Sequence, residues 1–222
     1  MKPLYWNTVS PILADSLFIL FKNKMFDEFR LVGGTALSLQ LGHRMSLDLD
    51  LFSERVYGSI DFDLIDKILR SNFKYVSDPI QIPIGFGRSY MVGESSDSAV
   101  KLDLYYTDPF LEKEITQDNI RFASVAEIGA MKIDVVQRGG RKKDFWDIHE
   151  LLDRFSLVQL IKLHASKYPY THDKEVILEN LLDFSKADNE PDPKCLKGKY
   201  WEFIKLDIVE AVENHKLEFP ND

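Results

Sequence analysis

Six consecutive residues, Ser46-Leu47-Asp48-Leu49-Asp50-Leu51, alternate polar and apolar without a break, and Phe52 follows them. Period two is the pattern of a β-strand with one face buried. Leu47, Leu49 and Leu51 are expected to share that buried face, which forces Asp48 and Asp50 out together on the opposite one. Two strand rises separate them by roughly 7 Å along the backbone, close enough for their side chains to converge on ions between them. Residues 100–106 alternate in the same way, setting Leu102 and Leu104 against Asp103 and Tyr105. Placed beside the first stretch, this second one would supply a third carboxylate. Three carboxylates suit hard, oxygen-seeking Mg²⁺ or Mn²⁺ when waters and substrate phosphates complete the shell, and the chemistry implied is attack at phosphorus. The duller reading is a solvent-facing pair of aspartates, and an isolated Asp-x-Asp does not separate the two.

The surroundings do more. Residues 29–32 read as a short apolar strand stopped by Gly33-Gly34, and Thr35 can cap a helix running to residue 42. Backbone N–H groups at such a turn can approach phosphate oxygens closely. A helix over 10–24 carries the stripe Ile12, Leu13, Leu17, Leu20 and Phe21. Another helix is expected over 61–71 and a strand over 73–76. Residues 80–92, with Pro79, Pro83, Gly85 and Gly87 nearby, suggest edge strands or hairpin turns.

Beyond residue 120 the periodicity becomes helical. Ser124-Val125-Ala126-Glu127 has the form of a capping box opening a helix to about 137. Gly139-Gly140 interrupts it, and residues 142–155 form the next helix, burying Phe145, Ile148, Leu151 and Leu152. Further helices are expected over 157–166, 174–184 and 199–214, with a proline-broken acidic loop at 187–193. Strands first and helices after define an α+β chain, with a core over 1–120 and a helical C-terminal domain over 121–222.

At 222 residues and with the single cysteine Cys195, the chain can bury a core without disulfides, and no Cys/His grouping has zinc-site spacing. No signal peptide is legible and the apolar run at 17–21 is too short to span a bilayer, so a cytoplasmic protein with no membrane partner is expected. A net charge of -8 does not favour broad nucleic-acid binding. One local basic run, Arg138, Arg141, Lys142 and Lys143, could meet RNA, or could be a solvated helix corner. The five histidines are scattered and receive no role.

The blocks Leu31-Val32-Gly33-Gly34-Thr35-Ala36-Leu37 and Arg44-Met45-Ser46-Leu47-Asp48-Leu49-Asp50-Leu51-Phe52 resemble the AbiEii-type nucleotidyltransferases, a branch of the DNA polymerase beta-like superfamily. So does a second region, 127–132 followed by Arg138 and Arg141-Lys142-Lys143-Asp144-Phe145-Trp146-Asp147-Ile148. The resemblance implies a nucleotidyltransferase-type mixed sheet with flanking helices, and an enzyme moving a nucleoside monophosphate from an NTP to an acceptor hydroxyl. It places Gly33, Gly34 and Thr35 on the triphosphate and metal on Asp48, Asp50 and Asp103. Lys132 would neutralise phosphate charge, while Asp144 would orient that lysine or help deprotonate the acceptor. Arg44 and Arg138 would contact phosphate. Apart from the resemblance, duller readings stand beside these: Lys132 as a solvated helix residue, Asp144 as a surface charge near a helix start, and Asp147 as a cap or a partner of Arg141 or Lys143. The resemblance further implies a toxin, often paired with an antitoxin, whose acceptor is the 3′ end of tRNA. Two other readings stay open: an antibiotic-modifying nucleotidyltransferase, and a nucleotide-binding regulatory module that has lost transfer.

Overall fold

The computed structural model describes residues 2–80 and 86–218, and the chain divides into two units at Ser124/Val125, with Gly42–Met45 grouped with the C-terminal one. In the first unit the elements are α1 (Pro11–Phe21), β1 (Arg30–Leu31), α2 (Gly33–Leu41), β2 (Asp48–Ser53), α3 (Phe62–Asn72), β3 (Tyr75–Val76), β4 (Gly87–Ser95), β5 (Ser98–Tyr106), β6 (Ile115–Gln117) and β7 (Ile120–Phe122). The strands form one seven-stranded sheet in the order β3-β4-β5-β2-β1-β7-β6. It is mixed, because β2 pairs parallel with β5 and β1 parallel with β7 while the remaining pairs are antiparallel.

The leucine pattern explains this arrangement. Leu31, Leu49, Leu51, Leu102 and Leu104 are fully buried, and each such side chain contributes about 1.5–3 kcal/mol relative to remaining in water. Helix α1, with Leu13, Leu17 and Leu20 also buried, packs against β2, β4, β5 and β7. Its first turn is fixed by Ser10, whose hydroxyl accepts from the Leu13 amide at 3.3 Å, and by Pro11 in the first position, where a missing N–H costs nothing.

Two expectations change, and one element is new. Leu47 is 68% exposed because the ladder with β5 begins only at Asp48↔Lys101, so the pleat does not dictate the preceding side chain. Of the two readings of residues 80–92, the hairpin holds, since β3 pairs antiparallel with β4 and Ile80 bridges Ser89, whereas β4 itself lies between β3 and β5 rather than at the edge; Pro83 and Gly85 lie outside the described residues. The hairpin β6–β7 was not anticipated. Its turn residues Asp118 and Asn119 have φ of 52° and 63°, the left-handed region that short polar side chains tolerate and that a two-residue hairpin requires.

The second unit comprises α4 (Val125–Gln137), α5 (Lys142–Leu152), α6 (Leu157–Lys167), α7 (Lys174–Leu182) and α8 (Trp201–Glu218). Its core gathers Ile128, Ile133, Phe145, Trp146, Ile148, Leu160, Ile177, Leu181, Trp201, Ile204 and Ile208, with Trp146 and Trp201 stacked at 6.1 Å. Glu127 in α4 carries a buried ion pair to Lys167 at 2.6 Å. The acidic segment expected as a loop contains a short 3-10 turn, Ala187–Asn189, and is pinned by its own charges. Asp188 accepts from the Trp201 indole at 2.6 Å, and Asp192 binds the Lys142 ammonium at 3.0 Å. Lys142 is therefore buried and does not belong to a solvated basic patch.

His164 and His172 share a hydrogen bond between their Nδ1 atoms at 2.7 Å. Burial, and then the neighbouring His164, push the His172 pKa down. A depressed histidine disfavours the charged folded form, so its contribution is complete above the ordinary value of about 6.5 and is lost as the pH falls from there towards the folded value. Thermal melts at pH 7 and pH 5 are expected to show a larger loss of stability for the wild type than for His172→Asn. Equal losses would exclude this pair as a source of acid sensitivity.

Candidate active site

Strand β2 alternates half-buried and buried residues from Asp48 to Ser53, and its parallel register with β5 pairs Asp48 with Lys101, Asp50 with Asp103 and Phe52 with Tyr105. Equivalent residues in a parallel pair point to the same face. Asp48, Asp50 and Asp103 therefore share one face of the sheet, while the leucines between them fill the other. The Val32 amide donates to the Asp50 carbonyl at 2.9 Å, which brings the glycine turn onto β2. Gly33 has φ +66°, and a Cβ built there would lie 2.2 Å from Asp50 Oδ2. Only glycine allows both that backbone conformation and that approach.

Thr35 does not cap α2, which begins at Gly33. It is fully buried, donates to the Asp48 carbonyl and shares a hydrogen bond with the Ser46 hydroxyl at 2.8 Å. Its effect is to fasten the start of β2 to the helix that follows the glycines.

The register also places Lys101, which the sequence reading overlooked. Its ammonium lies 2.6 Å from Asp103 Oδ2. Burial works against its charge, but the hydrogen bond to Asp103 and the charges of Asp103, Asp50 and Asp48 outweigh it and raise the pKa. The other Asp103 oxygen, Oδ1, is buried and has no hydrogen-bond partner among the described residues. Such an atom incurs a desolvation cost unless a donor or a cation meets it. Among the described residues no three His, Cys, Asp or Glu side chains are close enough to hold an ion as they lie. The aspartates share a face, Gly33 leaves room beside Asp50, and Asp103 presents a buried oxygen; this oxygen-rich set fits a hard divalent cation.

The helical unit holds a second cluster. Asp147 is fully buried and accepts from Arg44 through Nε and Nη2, both at 2.7 Å, and from His43 at 2.7 Å. Lys132 lies 2.6 Å from Asp147 Oδ2 and 2.7 Å from Asp144 Oδ1. Asp144 Oδ2 in turn accepts the Arg141 amide at 3.1 Å, which satisfies one of the open N–H groups at the start of α5. Burial alone would raise both carboxyl pKa values. The opposing charges win: Lys132 holds Asp144 down, while Arg44 and Lys132 hold Asp147 far below the carboxylate range. Burial also disfavours the Lys132 ammonium, yet Asp144 and Asp147 keep its pKa raised.

The structure thus brings Lys132 and Asp144 together, with both Asp144 oxygens engaged. Two expectations are corrected. Arg44 is buried and paired in bidentate fashion with Asp147, so its guanidinium is directed inward rather than towards phosphate. Asp147 pairs with Arg44, His43 and Lys132, because its place three residues after Asp144 puts it on the same helix face. Arg138 pairs with Asp134 with 67% of its side chain exposed. No helix among the described residues is long and apolar enough to cross a membrane.

The fold recurs in two solved structures. JHP933 from Helicobacter pylori matches at TM-score 0.56 and 18% identity, covering 96% of this chain and 100% of that one. The nucleotidyltransferase toxin MenT4, Rv2826c from Mycobacterium tuberculosis H37Rv, matches at TM-score 0.58 and 14% identity, covering 91% and 82%. Fold and family together make this chain a nucleotidyltransferase. It belongs to the family described as "Nucleotidyl transferase AbiEii toxin, Type IV TA system", whose model matches residues 15–219. A relative, the uncharacterized protein aq_aa25 of Aquifex aeolicus (strain VF5), is 31% identical over 199 residues, 85% of this chain and 90% of that protein.

Proposed function

We propose that the chain transfers a nucleoside monophosphate from an NTP to an acceptor hydroxyl in a metal-dependent reaction, the hydroxyl oxygen bonding to the α-phosphorus as pyrophosphate leaves, with the 3′ end of tRNA as acceptor and an antitoxin as its genetic partner. The observation that carries this reading is the register Asp50↔Asp103 beside Gly33. Asp48, Asp50 and Asp103 would hold Mg²⁺ or Mn²⁺. A cation bound there would polarise phosphoryl oxygens and lower the pKa of an attacking hydroxyl. Gly33 and Gly34 offer backbone N–H groups at the start of α2, where the helix dipole favours phosphate. Thr35 sets the position of Asp48 through its carbonyl. Within the helical unit Asp144 orients Lys132, and Arg138 and Arg141 are exposed cations of that unit that an RNA backbone could meet.

The test is incubation with each α-labelled NTP and Mg²⁺, together with total RNA or with a panel of aminoglycosides. Labelled RNA is the expected product, and Asp50→Asn is expected to reduce labelling by about 10²–10³-fold, as loss of several kcal/mol of transition-state stabilisation requires. Labelled drug would instead support the antibiotic-modifying reading. Nucleotide binding with no labelled product would support a regulatory module.

A further inference from the structure

Lys101 occupies a place in the acidic face that the sequence motifs do not assign. It is the register partner of Asp48, lies two residues before Asp103 on the same strand face, and is bonded to Asp103 Oδ2 at 2.6 Å while 46% of its side chain remains exposed. Adjacent strands are roughly 4.8 Å apart, so three aspartates on one face repel each other unless a cation stands among them. Asp103 is held on one oxygen only, its Oδ1 being buried without a hydrogen-bond partner among the described residues. A compact ammonium on a flexible stem can leave such a contact by bond rotation, whereas a guanidinium fork would hold it more firmly.

We propose that Lys101 is the exchangeable counter-cation of this face: it holds Asp103 in the metal-free protein, yields that oxygen to a divalent ion, and then turns its charge to the nucleotide's phosphates. The inference rests on the reading that these aspartates take up the metal. Lys101 is thus a positioning residue that sets metal affinity through Asp103.

Mn²⁺ binding to the full chain without nucleotide, followed by the EPR signal of free Mn²⁺, tests it. Lys101→Gln is expected to bind Mn²⁺ about tenfold more tightly than wild type, because a unit positive charge beside a doubly charged ion has gone. Lys101→Arg is expected to bind no more tightly than wild type. In EDTA, Lys101→Gln is expected to melt below wild type and to gain more from added Mn²⁺, a difference that a purely structural lysine would not produce. Equal or weaker Mn²⁺ binding by Lys101→Gln, with binding still lost in Asp103→Asn, would overturn the Lys101 inference and leave the metal reading standing. No Mn²⁺ binding by wild type or Lys101→Gln would overturn both.

Discussion

Asp147→Asn is expected to destabilise the helical unit by about 3–5 kcal/mol, the usual cost of removing one partner from a buried ion pair. Arg44 and Lys132 both depend on this carboxylate, and their side chains are only 3% and 8% exposed. An asparagine amide can accept from one of them but presents N–H to the other, so a positive charge is left buried without compensation. Urea titration followed by tryptophan fluorescence reads the effect directly, since Trp146 and Trp201 lie in the core of this unit. Asp153→Asn is the control. That carboxylate is 63% exposed in its pairing with Lys199, and such pairs are worth about 1 kcal/mol or less. Similar losses in the two variants would refute the assignment of Asp147 as the hub. The pH dependence has a definite sign. Because the folded pKa of Asp147 lies well below the ordinary one, its stabilisation is complete above the carboxylate range and is lost as the pH falls through the folded value.

Gly33→Ala is expected to reduce nucleotidyl transfer by about 10²-fold, the scale of effect that accompanies a displacement of about 1 Å in a catalytic group. The new methyl group would meet Asp50 Oδ2 at 2.2 Å, so either the carboxylate rotates off its place or the turn backs away. A left-handed alanine also costs roughly 1–2 kcal/mol, which is a loss of stability rather than of chemistry. Gly58→Ala separates the two effects, because Gly58 has φ +81° with nothing within 4 Å of a built Cβ. That variant is expected to melt lower yet keep its transfer rate. If Gly33→Ala keeps its rate as well, the close approach of the turn to Asp50 does not matter for catalysis.

Periodicity alone located β2, β5 and the five α-helices described in the second unit to within a few residues, since burying one face of an element imposes its repeat on the sequence. It failed where the repeat is too short to be seen or is absent. The hairpin β6–β7 has three residues per strand, and its turn uses Asp118 and Asn119 in place of the glycine that would have marked it. The basic run from Arg138 to Lys143 looked like one solvated patch. Its members diverge because helix geometry turns Lys142 inward to Asp192 while Arg138 and Arg141 stay out.

What the sequence by itself determined is that Asp48 and Asp50 leave a leucine-backed strand on the same side, that a glycine turn precedes them, and that helices follow. These are local consequences of alternation and of backbone sterics, which need no partner strand to be decided. Only the tertiary structure decided that Asp103 stands level with Asp50, that Lys101 neutralises it, and that Arg44, one of four residues that leave the first unit, is committed to Asp147. Strand register and buried ion pairing join residues far apart in sequence, and no period along the chain encodes which of them meet.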